Sequence, residues 1–272
     1  MPIAQSFYLR KVKKLKAAFA YIRYSIHAST KHDIHSPFVF ELLTKVIENK
    51  RKEPVFSEIE GLRKNLLGST EEIEVEDLGA GSSVLPGNCR KVSQIAKYAL
   101  KSPKYAQLLY RLVARFKPSD ILELGTSFGI STLYMASGNE LCNIITLEGC
   151  PAIANKARAH FKALNKTNIR IVEGNFDATL SEILQQVNTL DLVFFDGNHR
   201  KEPTLDYFNQ CLKKKHRGSL FIFDDIHWSE KMTEAWEEIM NHPEVTITID
   251  LHQMGLVFFR TGQEKQHFVI RF

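Results

Sequence analysis

The sequence predicts an α/β protein: a doubly wound, mostly parallel seven-stranded sheet with a terminal antiparallel hairpin, preceded by a helical N-terminal extension. Three observations lead there. From Asp120 onward, short strand-like runs alternate with helical patterns. The last two strand-like runs are separated by only four residues, Leu251 to Met254. Before Pro118, apolar residues recur at helical rather than strand spacing.

Taken in order, the first helical stripe is Val12, Leu15, Phe19, Ile22 and Ile26, and the second is Val39, Leu42, Leu43, Val46 and Ile47. Ser36 and Pro37 open the second, a cap residue followed by proline at the first helical position. A polar stretch over 49–91 holds Gly61, Gly68, Gly79, Gly81 and Gly87 and reads as irregular. Tyr105, Leu108, Leu109, Leu112, Val113 and Phe116 mark a further amphipathic helix, stopped by Pro118. The strands then follow as ILEL at 121, NIITLE at 143, IRIVEG at 169, LDLVFFD at 190 and SLFIFDD at 219. Helices start between them near Ile130, Pro151, Phe176 and Pro203, and another follows near Trp228. VTITID at 245 and GLVFFR at 255 lie too close together for a crossover helix, so they form a hairpin.

The composition bounds the function. With 272 residues, 44% hydrophobic and 25% charged, the chain has the profile of a soluble globular protein. No apolar run approaches the ~20 residues of a membrane-spanning helix, and charges interrupt the early apolar stretches that a secretory leader would need. Cys89, Cys142, Cys150 and Cys211 show no CxxC pairing, which argues against a disulfide scaffold and a structural zinc site and points to a reducing cytoplasm. The net charge of +5 is unevenly placed: residues 1–32 hold seven Lys or Arg and no acid, leaving 29 basic and 31 acidic side chains in the rest. The body of the chain is therefore not a nucleic-acid surface by composition.

Two segments have the form of ligand-binding turns, Asp77 to Ser82 (DLGAGS) and Glu123 to Gly129 (ELGTSFG). Such a turn lets the backbone approach a ligand while the next helix offers free N–H groups. The first lacks a following strand that ends in an acid. The second has one: strand NIITL ends in Glu148, 23 residues after Gly125, the distance at which a carboxylate meets ribose hydroxyls. A dinucleotide fits less well, because Gly-x3-Gly lacks the middle glycine that admits a pyrophosphate.

The ELGTSFGIST segment resembles the first motif of class I S-adenosylmethionine-dependent methyltransferases, and Glu148, GNF at 174–176 and the terminal hairpin match that family's order over about residues 100–260. ELGT, DGNH at 196–199 and the Asp224–Asp225 pair are most similar to the cation-dependent O-methyltransferases of catechol and macrocin type, and HSPF at 35 and DDIHWS at 224 to uncharacterised bacterial relatives. The resemblance implies a Rossmann-like domain over 101–272; residues 1–100 match none of its motifs and are expected, from their amphipathic helices, to form a helical cap or extension. It implies an S-adenosylmethionine site in which Gly125, Thr126 and Ser127 face the methionine part and Glu123 and Gly129 shape the loop. Asp196 completes that set, Glu148 holds the ribose, and Asn175 meets the adenine edge, where related enzymes often carry Asp.

Asp196, Asp224 and Asp225 end the fourth and fifth strands, which are neighbours facing the crevice of such a sheet. Three hard oxygen donors suit Mg²⁺, although Asp also begins turns for purely structural reasons. His199, where catechol-type enzymes carry a lysine, is the first choice for general base, with Asp196 beside it and His227 as runner-up. Trp228, Met232, Ala235, Trp236 and Ile239 follow the stripe of a packed helix, so only Trp228 is expected at a pocket rim. His27, His32 and His35 are expected in polar loop contacts. The function expected is methyl transfer to a hydroxyl of a small molecule, assisted by a divalent cation. The alternatives are a methyltransferase for RNA or protein, suggested by the basic segment Arg10 to Lys16, and a non-catalytic binding protein of the same fold. The apolar N-terminal stripes are expected to pack on the catalytic domain or in a homodimer.

Overall fold

The computed structural model of the chain describes residues 21, 24–26, 28–30, 33–75 and 88–272. The basic segment Arg10 to Lys16, the first helical stripe before Ile26, His27, His32 and the Asp77 to Ser82 loop lie outside the described residues.

Helix α1 (Pro37–Leu42) begins at Ser36, whose side chain accepts the Val39 N–H, and continues as a π-helical turn over Leu43–Ile47. The stretch after it is more regular than its composition suggests. Helix α2 (Pro54–Gly68) runs straight through Gly61, and β1 (Glu72–Glu74) pairs antiparallel with β2 (Cys89–Lys91). A helical glycine costs about 1 kcal/mol relative to alanine, which hides the helix from propensity. Phe56, Ile59 and Leu66 override that cost by packing with Val92, Ile95 and Ala96 of α3 (Val92–Ala99). Helix α4 (Pro103–Phe116) buries Tyr105, Leu108, Leu109, Leu112 and Val113 and ends where Lys117 turns left-handed, φ 47°.

The main sheet contains β3 (Asp120–Leu124), β4 (Asn143–Glu148), β5 (Ile169–Glu173), β6 (Leu192–Phe195), β7 (Leu220–Asp224), β8 (Ile247–Asp250), β9 (Met254–Phe258) and β10 (Gln266–Val269). Helices α5 (Ile130–Gly138), α6 (Pro151–Ala163), α7 (Phe176–Gln186) and α8 (Lys201–Leu212) make the crossovers, and α9 (Glu230–Asn241) follows β7. The order is β10-β8-β9-β7-β6-β3-β4-β5, with β9 antiparallel to both β7 and β8. All seven expected strands are present, and β10 adds an eighth at the edge, parallel to β8. Its four residues, QHFV, are too few for a period of two to stand out.

Alternation along the strands feeds both faces. Ile121, Phe194 and Ile222 join a core with α4 and the α1 segment, whereas Leu122, Phe195 and Phe223 join Leu180, Phe208 and Trp236 on the other side. Residues Ile34 to Ile47 are thus part of the same core as the sheet. Between β3 and β6 the order of connection reverses, and ligands of open α/β sheets bind outside the carboxyl ends at such a point.

Candidate active site

Strand β3 delivers its chain to Gly125, which turns at φ +107°. A Cβ there would stand 2.3 Å from the Asp196 carbonyl oxygen, so this close crossing of two loops requires glycine. The loop is braced from below by Glu123. Its fully buried carboxyl accepts from Ser131 Oγ at 2.6 Å, Thr132 Oγ1 at 2.5 Å and Thr146 Oγ1 at 2.7 Å. Burial pushes Glu123 up to about 7, against those three hydrogen bonds. Glu123 therefore shapes the loop from inside the core. Thr126 is tied into the sheet: its hydroxyl meets Thr146 Oγ1 at 2.6 Å and its N–H donates to the Leu147 carbonyl at 3.0 Å, joining β3 to β4.

Ser127 and Glu148 form the rim. The Ser127 N–H donates to Glu148 Oε2 and the Cys150 N–H to Oε1, each at 2.9 Å. The carboxylate thus bridges the glycine loop and the turn after β4. Ser127 Oγ is buried with no hydrogen-bond partner among the described residues. Asn175 follows β5, but its Oδ1 caps α7 by accepting the Asp177 N–H at 3.0 Å. That bond uses one of the two lone pairs of the amide oxygen. A network then runs from α7 to the next loop: Tyr207 OH donates to Asp177 Oδ1 at 2.6 Å and accepts from Asn198 Nδ2 at 3.1 Å.

Asp196, Asp224 and Asp225 converge at the ends of β6 and β7, as their positions predicted. Asp224 is 1% exposed and its Oδ1 has no hydrogen-bond partner among the described residues. Burial pushes Asp224 up to about 7 and Asp196 up to about 6, with Lys101 pulling both down. Asp225, in the left-handed region at φ 53°, is also raised, first by burial and then by Asp224. His199 Nε2 lies 3.9 Å from both Asp196 Oδ1 and Asp225 Oδ2. Ligand atoms of Asp196, His199 and Asp224 lie within 4.8 Å of one another.

Two residues here escape sequence reasoning. Lys101, just before α4, pairs its ammonium with Asp224 Oδ2 and lies 3.5 Å from Asp196 Oδ1. Burial opposes its charge, but Asp196, Asp224 and Asp225 together raise its pKa. A lone lysine beside a Ser-Pro helix start carries no signal of this. Asp250, ending β8, accepts from or pairs with His227 Nε2 at 2.7 Å, while His227 Nδ1 meets Thr233 Oγ1 at 3.2 Å. Trp228 beside it is 67% exposed, whereas Trp236 is buried against Gly255.

A family model described as a methyltransferase domain matches residues 122–226, from β3 to the loop after β7. Over 128 residues the chain is 29% identical to a catechol O-methyltransferase of Niastella koreensis, covering 46% of this chain and 57% of that protein. The part of the chain from β3 to the end of β7 thus resembles a methyltransferase domain. An uncharacterized protein of Acanthamoeba polyphaga mimivirus is 28% identical over 145 residues, 49% of this chain and 65% of that one. The chain thus spans less than two thirds of the length of these curated relatives. Among solved structures, a Podospora anserina methyltransferase bound to S-adenosylhomocysteine superposes with a TM-score of 0.58 at 15% identity, covering 84% of this chain and 97% of that one. A Bacillus cereus O-methyltransferase in complex with the same molecule gives 0.52 at 20% identity, covering 81% and 97%. At such identities the likeness is one of fold. The methyltransferase fold accounts for the strand order, and no described helix is long and apolar enough to cross a membrane.

Proposed function

We propose that this methyltransferase transfers a methyl group from S-adenosylmethionine to a hydroxyl of a small-molecule acceptor. The observation that carries the reading is one juxtaposition. The Gly125 turn crosses directly over the Asp196 backbone, so a cofactor cradle and a buried polar cluster share one crevice. The unpartnered Ser127 Oγ, beside the Glu148 carboxylate at the loop rim, fits a ligand with polar amino-acid and ribose ends.

When bound, S-adenosylmethionine supplies a sulfonium methyl: a C–O bond forms, the C–S bond breaks with its electron pair passing to sulfur, and the acceptor hydroxyl gives its proton to a base. The chain's part is to fix, dry and deprotonate. Ser127 and Glu148 hold the cofactor's polar ends and Asn175 borders its base, while Gly125 and Gly129 admit the backbone close to it. Asp224 Oδ1, a buried acceptor, orients the incoming hydroxyl, and His199 Nε2 receives the proton with Asp196 and Asp225 near enough to balance its charge. Holding the reactants in line is worth several kcal/mol of barrier, on the order of 7–11 in well-oriented cases.

The divalent cation expected from the sequence meets a competitor. Asp196, His199 and Asp224 are close enough to form a donor set, but Lys101 already pairs with the two carboxylates. The set as folded does not fit a resident Mg²⁺. Residues 1–100 are proposed to border the acceptor pocket, a reading supported by Tyr21 and Tyr24 against His252, in the turn between β8 and β9 at the same sheet edge. Described cysteines that are all free support a reducing compartment. Calorimetry with S-adenosylmethionine tests the cofactor, and S-adenosylhomocysteine release against pooled hydroxylated metabolites tests the reaction. Binding without release from any pool would leave a non-catalytic binding protein.

A further inference from the structure

The cluster at the ends of β6 and β7 has a charge problem that the chain itself addresses. Three carboxylates, Asp196, Asp224 and Asp225, converge where side-chain exposure is 12%, 0% and 29%. Buried like charges of this kind need a counter-charge or must take up protons. Lys101 is 11% exposed at its side chain, with its ammonium on Asp224 Oδ2 and 3.5 Å from Asp196 Oδ1. It reaches this point because Arg63 Nη1 donates to the Lys101 carbonyl at 2.6 Å and anchors the turn before α4. Glu60 in turn accepts Arg63 Nε at 2.8 Å, so a chain of contacts from α2 holds the lysine backbone.

We infer that Lys101 is the built-in cation of the site, supplying to Asp196 and Asp224 the positive charge that a divalent metal would otherwise bring, so that the site takes no resident metal. The geometry is exclusive. A hard cation binds carboxylate oxygens at about 2.0–2.6 Å, and on these two side chains it would share the ammonium's position. The like charges repel, and the buried ammonium has no second carboxylate site to move to without leaving Asp224 unpaired. The remaining N–H donors of Lys101 then serve as fixed hydrogen-bond donors for an acceptor oxygen that loses its proton, an ammonium being a three-donor point charge. This last role rests on the proposed methyl transfer; the exclusion of metal does not.

The test uses Mn²⁺ alone, followed by electron paramagnetic resonance on the full chain. Wild-type protein is expected to bind it no more tightly than millimolar. Lys101→Met, similar in length and uncharged, is expected to bind at least about tenfold more tightly, because it exposes a vacant carboxylate pair. Lys101→Met combined with Asp224→Asn is expected to return to the wild-type level. Stoichiometric micromolar binding by the wild type would overturn the inference, and so would a Lys101→Met variant that folds yet gains nothing. If Lys101→Met does not fold, the wild-type titration decides alone. Absence of S-adenosylmethionine binding in calorimetry would defeat the transfer reading instead, leaving the Mn²⁺ result to stand.

Discussion

The Ser127 N–H lies 2.9 Å from Glu148 Oε2, so the glycine loop after β3 is clamped to the end of the neighbouring strand. One carboxylate thereby fixes the loop at the place proposed for the ribose.

Glu148→Ala removes both roles at once. S-adenosylmethionine affinity should fall by ~1–3 kcal/mol, the usual worth of charge-assisted hydrogen bonds. Calorimetry measures this directly. Glu148→Gln should lie between, because it keeps one acceptor oxygen for Ser127. Unchanged affinity in the alanine variant would move the ribose elsewhere.

Two glycines separate loop strain from helix propensity. Gly125→Ala forces a Cβ to 2.3 Å from the Asp196 carbonyl oxygen at a positive φ, so it should cost more than about 1 kcal/mol of stability and also displace Asp196. Gly61 sits inside α2 with nothing within 4 Å of an added Cβ. Gly61→Ala should therefore stabilise the protein by roughly 0.5–1 kcal/mol. Urea midpoints of the two variants read both signs, and a destabilised Gly61→Ala would contradict the packing of α2.

These two glycines also mark what could be read from the chain. The turn at Gly125 was legible because strand, glycine, helix and a strand ending in Glu148 follow one another in sequence. Helix α2 was not, since its stability comes from Phe56, Ile59 and Leu66 meeting α3, a tertiary effect that opposes glycine's propensity. Asp196 and Asp224 could be placed together from the parallel sheet alone. Lys101 could not, because it precedes that sheet and reaches the cluster only through the turn before α4. Asp250 was likewise hidden: its pairing with His227 depends on β8 lying beyond β9 in the sheet.

Glu123 should leave a signature in stability against pH. Its pKa rises from the ordinary 4.5 to about 7 on folding, through burial. The folded chain thus holds this proton more tightly than the unfolded chain, and stability falls wherever the unfolded state carries fewer protons. The contribution is complete below about pH 4.5 and is lost as pH rises through about 7. Glu123→Gln should flatten part of that decline, with Asp196 and Asp224, also raised, retaining the rest. Denaturation midpoints between pH 4 and 8 (about the range of the shift) would show it. A parallel profile for wild type and Glu123→Gln would mean that the buried carboxyl titrates normally.

His199 and His227 are distinguishable by what each variant loses. His199 has loose ionic neighbours at 3.9 Å, leaving its ring able to exchange a proton with an acceptor. His227 has both ring nitrogens engaged, by Asp250 and Thr233. His199→Ala should lower kcat by about 10²-fold or more while leaving S-adenosylmethionine affinity intact, the usual scale for a general base. His227→Ala should lower stability more than turnover, since it strands Asp250. A larger kcat loss in His227→Ala would exchange their roles.

Tyr24 is one anchor of the described N-terminal extension, beside the Ser29 N–H bond to the Val269 carbonyl and the core packing of Ile34 to Ile47. Tyr24 OH donates to the Ile270 carbonyl at 2.5 Å and accepts the Phe272 N–H at 3.0 Å, while its ring lies 4.9 Å from that of His252. A hydroxyl that serves two backbone groups in a buried place costs about 1–3 kcal/mol to remove, because both partners lose their bond. Tyr24→Phe should show a loss of that size in chemical denaturation, yet keep the ring against His252 and so keep S-adenosylmethionine affinity. Deleting residues 1–32 removes ring and hydroxyl together and should lower turnover as well as stability, because His252 and the adjoining Asp250 and His227 then lose their cover at the crevice edge. Turnover undiminished by the deletion, with only RNA or anionic-vesicle binding lost, would assign the segment to an external partner and refute its place beside the acceptor pocket.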